Sequence, residues 1–75
     1  MDFKTLRNEM TEQALCIEHV MRQHARISLE ELAEASDISA TVVAFILEQM
    51  QAFGIVNRVS FGRYSLAREY LKTQQ

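Results

Sequence analysis

The chain has no proline and no tryptophan, and only one cysteine and two glycines in 75 residues. With glycine confined to Gly54 and Gly62, the first 53 residues hold none of the strongest helix breakers, so helices are expected to dominate them. A lone Cys16 excludes an intramolecular disulfide framework and a multi-cysteine zinc site. No run of about 18 uninterrupted apolar residues exists to span a bilayer. The opening MDFKTLRNEM puts acidic and polar residues where a signal peptide has a basic stretch and then an apolar block. A reducing cytoplasm is the expected location, with no membrane contact. Glycine-rich phosphate loops, a nucleophile with base and orienter, and metal motifs are also missing, so no enzyme, cofactor or metal is expected. A mass of 8.7 kDa leaves room for one small domain across residues 1–75.

Charge is unevenly spread behind a net value of −2. Residues 1–26 balance Lys4, Arg7, Arg22 and Arg26 against Asp2, Glu9, Glu12 and Glu18. Residues 27–54 carry Glu30, Glu31, Glu34, Asp37 and Glu48 with no lysine or arginine, and residues 55–75 carry Arg58, Arg63, Arg68 and Lys72 against Glu69 alone. A polyanion is drawn to the last third and repelled by the middle.

At 100° per residue, Phe3, Leu6, Met10, Ala14, Ile17, Met21 and His24 fall within about 40° of one line. This predicts one long helix over about residues 4–24. A stop at Thr11, capping a shorter helix with Glu12 in its first turn, is the competing reading. Ser28-x-x-Glu31 is a capping box, and Leu29, Leu32 and Ala33 supply the inner face of a second helix over about 29–35. Asp37-Ile38-Ser39 makes a turn, and Ser39 caps a third helix over about 40–53 with Val43, Ile46, Leu47 and Met50 in one stripe. Gly54 marks its left-handed end. Beyond it the period becomes two: Val56, Arg58 and Ser60 alternate with Ile55, Asn57 and Val59, Phe61-Gly62 turns the chain, and Arg63 to Leu66 returns. A hairpin over about 55–66 and a short helix over about 67–73 complete a mainly α fold with a small β-hairpin.

Helix, short extended piece at Arg26-Ile27, helix, turn, helix, hairpin is the order of a winged helix-turn-helix, a three-helix core plus wing. The stretch from Ile27 to Val59 resembles bacterial winged-helix regulators, in which Ser-x-x-x-Val-x-x-x-Leu-x-x-Leu-x-x-x-Gly runs through the recognition helix into the first wing strand. Ser39, Val43, Leu47, Met50 and Gly54 fill that pattern in register, with methionine for the second leucine. The resemblance implies double-stranded DNA as partner, in transcriptional regulation or replication control. The start and outer face of the third helix would lie in the major groove and the wing against backbone or minor groove. The implied contacts are Ser39, Ala40, Thr41, Phe45, Arg58, Arg63 and Arg68.

With Val43 as the inward direction, Thr41, Phe45, Glu48 and Ala52 point outward, and none of them is a cation. An outer face that is apolar at Phe45 and acidic at Glu48 suits the alternative, a protein-interaction module anchored on Phe45. Phe3, Leu6 and Met10 lie on the part of a long first helix that would overhang a three-helix core. They are expected to be covered either by Tyr70 and Leu71 folding back or by a second copy, giving a homodimer through the terminal helices. Cys16 and His19 are spaced for a metal pair, but His24 falls on the core stripe and His19 opposite it, so Cys16 is expected as a partly buried structural residue. The cysteine cluster carried in the wing by small winged-helix proteins of ferrous iron transport has no counterpart between Ile55 and Leu66.

Overall fold

Four helix starts are each set by one side-chain oxygen taking an orphan amide. In the computed structural model, which describes residues 2–73, Asp2 Oδ1 accepts from the Thr5 amide at 2.8 Å and opens α1 (Phe3–Asn8). Thr11 Oγ1 accepts from the Ala14 amide at 3.1 Å and opens α2 (Glu12–Arg22). Ser28 Oγ accepts from the Glu31 amide at 3.1 Å while Glu31 Oε1 accepts from the Ser28 amide at 3.0 Å, a reciprocal box that opens α3 (Leu29–Ser36). Ser39 Oγ accepts from the Val42 amide at 3.4 Å and opens α4 (Ala40–Ala52). The strands are β1 (Ile27–Ser28), β2 (Val56–Val59) and β3 (Arg63–Leu66), with a tight turn at Ser60–Gly62 and a last helix, α5 (Arg68–Thr73).

The long first helix expected over 4–24 is therefore two helices, broken at Glu9, Met10 and Thr11. A threonine hydroxyl that satisfies an amide three residues ahead competes with continuation of the helix. The break also lets α1 fold back on its own chain. Phe3 meets the Tyr70 ring edge-on at 5.4 Å between centroids, and Leu6 and Met10 are partly buried against the core. The overhang that made Phe3, Leu6 and Met10 a dimer seam is absent, and Tyr70 covers Phe3 from within. His24 lies beyond the end of α2 and is exposed rather than on the core stripe, and Cys16 is exposed rather than partly buried.

The sheet has the order β1-β3-β2, all antiparallel, so the extended piece before α3 adds a third strand to the hairpin. Ile27 pairs with Tyr64 and Ser28 with Arg63, while Val56, Asn57, Arg58 and Val59 pair with Leu66, Ser65, Tyr64 and Arg63. One register buries Ile27, Val56 and Leu66 against Ile17, Leu32, Val43, Leu47 and Met50. Gly54, at φ +76, ends α4: its amide donates to the Gln51 carbonyl and that of Ile55 to the Met50 carbonyl, the paired bonds of a Schellman turn. That turn fixes where the hairpin leaves α4.

Candidate nucleic-acid interface

Burial along α4 alternates with the helical period. Val43, Ile46, Leu47 and Met50 are buried, whereas Ala40, Thr41, Ala44, Phe45, Glu48 and Ala52 are exposed. Phe45 keeps 52% of its surface in water, so the phase that sets it opposite Val43 is correct. Ser39 spends its hydroxyl on the Val42 amide, which limits what it offers a ligand. Glu48 is the one charged residue of α4, so this face presents an aromatic ring, small side chains and a carboxylate.

The β2–β3 hairpin has the opposite character. It contains no acidic residue from Ile55 to Leu66, and Arg58 and Arg63 are both exposed. Directly paired residues share a face and successive residues alternate. Arg58, opposite Tyr64, lies on the face of Val56 and Leu66, while Arg63, opposite Val59, lies on the other. The two cations thus flank the ribbon on both sides near its turn. Arg63 is the more screened, because Ser28, its partner in β1, holds the Glu31 carboxylate nearby. The Ser28 amide and hydroxyl keep that carboxyl below its ordinary range, with Arg63 adding positive potential. Neither Arg58 nor Arg63 forms an ion pair among the described residues.

At the apex Phe61 is 97% exposed and adopts φ +62, followed by Gly62 at φ +69. Glycine reaches that region freely, but a residue with a Cβ carries about 1–2 kcal/mol of strain there. In the sequence Phe61 reads only as a turn residue. Its flanking arginines and the following glycine were the signal that an apolar ring sits at a basic tip. Arg68 is exposed at the start of α5, where a cation opposes the helix dipole and adds nothing to the helix itself.

A second polar cluster, without a signature in the sequence pattern beyond one i, i+4 pair, lies between the helices. Glu18 is 1% exposed on α2, where Arg22 Nε donates to its Oε1 at 2.7 Å, Arg7 Nε to its Oε2 at 2.8 Å, and the Tyr70 hydroxyl also donates to Oε2. Burial pushes the Glu18 carboxyl up, but the three donors together outweigh it and hold the pKa below the ordinary value. Burial and the neighbouring carboxylate push the Tyr70 phenol up to about 12. The i, i+4 spacing of Glu18 and Arg22 was legible; Tyr70, remote in sequence, was not. This cluster ties α1, α2 and α5 together, and among the described residues no buried side-chain nitrogen or oxygen is left without a hydrogen-bond partner. Among the described residues no group of three or more His, Cys, Asp or Glu is placed to hold a metal, and no helix is long and apolar enough to cross a membrane.

No protein-family model and no curated protein sequence matches the chain. Solved structures do resemble it. Ligand-free NadR superposes with a TM-score of 0.78 at 21% identity over 88% of this chain and 49% of its own. Pseudomonas aeruginosa HmgR superposes at 0.70, with 26% identity over 81% of this chain and 26% of its own. An IclR-family protein from Rhodococcus sp., described as a candidate transcriptional regulator, superposes at 0.71, with 26% identity over 80% of this chain and 24% of its own. The fold is a winged helix. The chain spans about half the length of NadR and about a quarter of the other two. In a winged helix α4 occupies the position of the third core helix and β2–β3 that of the wing, so the apolar and the basic surface belong to these two elements.

Proposed function

We propose that the chain is a double-stranded-DNA-binding domain that acts in transcriptional control in a reducing cytoplasm. The observation that carries this reading is the wing: Arg58 and Arg63 stand exposed on its two faces with no acidic residue in the hairpin. Arg68 adds a third cation beyond it. Arginines on both sides of a narrow ribbon suit the two phosphate chains that border a groove. The description of the IclR-family neighbour supports a regulatory role. On α4, Ala40, Thr41 and Phe45 offer apolar contacts to thymine methyl groups, and Ser39, already engaged as a cap, contributes to backbone positioning. Glu48 opposes the phosphates, so the recognition helix discriminates weakly and the wing supplies most of the attraction.

Binding to random-sequence duplex across a salt series tests this directly. Three phosphate contacts give a slope of about −3 in log K against log salt, with dissociation constants of about 10⁻⁴–10⁻⁶ M at physiological salt. Useful affinity then calls for two copies acting together, as in a homodimer. No binding at low salt and high micromolar protein removes the reading.

The exposed Phe45 ring favours a second reading, a module whose α4 outer face docks on another protein. An exposed aromatic ring is the kind of anchor that dominates protein interfaces. Salt-independent capture of a protein partner that Phe45→Ala abolishes, with no duplex affinity, decides for it.

A further inference from the structure

Phe61 makes almost no contact with its own protein, stands in a left-handed conformation that only glycine occupies without strain, and is the outermost residue of the wing. Neither core packing nor solubility accounts for a phenylalanine there. Its surroundings narrow the choice of occupant. Ser60 and Gly62 add no apolar surface, Arg58 and Arg63 flank the tip on opposite faces, and no carboxylate lies between Ile55 and Leu66. A protein-docking patch gathers several apolar side chains; here a single ring projects between two cations, which is complementary to an apolar stack of bases between two phosphate chains.

We propose that Phe61 is a wedge that the wing inserts from the minor groove between adjacent base pairs of duplex DNA, kinking it at a flexible pyrimidine–purine step. The inference rests on the DNA-binding reading above and adds to it the residue that selects deformable sites. A short hairpin with one ring at its apex delivers that ring without bringing the ribbon itself between the bases. The partial unstacking opens the groove, and Arg58 and Arg63 then meet phosphates on either side. Specificity arises from how easily a step unstacks, consistent with a recognition helix that has no cation with which to read guanine.

The chain lacks tryptophan, so Phe61→Trp introduces a sole indole reporter at the tip. The experiment titrates the full chain, Phe61→Ala, Phe61→Leu and Phe61→Trp into end-labelled 20-base-pair duplexes that differ only in a central TA step or an A-tract. Affinity, bend angle by energy transfer and indole emission are read. The wild-type chain and Phe61→Leu are expected to bend the TA duplex. Phe61→Ala is expected to bind it about tenfold more weakly and leave it straight, with an unchanged salt slope, because an apolar contact releases no counterion. Indole emission of Phe61→Trp is expected to be quenched on binding. All three variants should melt at the wild-type temperature or above it, since the ring buries nothing. Wild-type binding without bending, or undiminished binding by Phe61→Ala, overturns the wedge and leaves the DNA-binding reading standing. Failure of the wild-type chain to bind either duplex overturns both.

Discussion

Replacing Tyr70 by phenylalanine removes one oxygen from the most tightly knit part of the molecule. The ring keeps its place, fully buried and edge-on to Phe3, so the apolar packing is unchanged. What is lost is the hydroxyl donated to Glu18, a hydrogen bond to an ionised acceptor, worth about 1.5–3 kcal/mol. Glu18 retains Arg7 and Arg22, whose side chains are 41% and 29% exposed, so part of the loss is recovered by solvated donors and the lower half of that range applies. About 2 kcal/mol in a domain of this size lowers the melting temperature by roughly 10 °C at pH 7. The pH dependence is the sharper measurement. A phenol raised from 10.0 to about 12 stabilises the fold fully below pH 10, and that stabilisation disappears as pH rises through 12. The gap between the wild-type and Tyr70→Phe melting temperatures should therefore close between pH 10 and 12. Glu18 runs the other way: its carboxyl is depressed, so its contribution is present above the ordinary carboxylate range and lost as pH falls below it, less steeply in Tyr70→Phe. Equal melting temperatures at pH 7, or a gap that persists undiminished at pH 12, would refute the assignment of the Glu18 cluster as the clasp between α2 and α5.

Phe45→Ala is expected to change stability by under about 0.5 kcal/mol, whereas Leu47→Ala, which empties a fully buried position, costs about 2–5 kcal/mol; chemical denaturation of the two variants compares them. Arg58→Ala and Arg63→Ala should each make the salt slope of duplex binding shallower by about one unit and weaken all sequences alike, with Arg58 the larger loss because Glu31 screens Arg63. Glu48→Gln should strengthen duplex binding several-fold at low salt and converge with wild type at high salt; no change would remove α4 from the interface. Leu6→Glu is expected to lower the melting temperature of an unchanged assembly, since Leu6 packs on its own core; a stable variant that merely changes its sedimentation would restore the seam between copies.

Most of the element order was legible because it rests on local chemistry. The Ser28–Glu31 box, the Ser39 cap and Gly54 act within a few residues of themselves, and the Val43, Ile46, Leu47, Met50 stripe needs only the helical period. The same arithmetic set Phe45 outward. It misjudged the first helix because the apolar stripe from Phe3 to Met21 continues unbroken across Thr11: periodicity records which side chains are apolar, not whether the backbone between them bends. Thr11 alone left the two readings close; in the structure its hydroxyl caps α2, and the break lets Phe3 fold back onto Tyr70. A buried carboxylate with donors from three helices has no signature in a linear pattern beyond its i, i+4 arginine. His24 fell on the core stripe only because the helix was extended past Arg22, where α2 ends, and Cys16, expected to be partly buried, is exposed.

What the sequence by itself determined is the set of locally enforced features: where α3 and α4 begin, where α4 ends, that a hairpin with Arg58 and Arg63 follows, and that only the last third carries a net positive charge. Each depends on side chains within about one helical turn or one strand pair, so short-range sterics and hydrogen bonding suffice. Tertiary structure alone decided the rest. The β2–β3 register set which face of the ribbon each arginine occupies, the packing of α5 on α1 turned an apparent seam inward, and among the described residues nothing folds over Phe61 at the tip. Such features depend on contacts between residues far apart in the chain, whose geometry exists only once the core has formed.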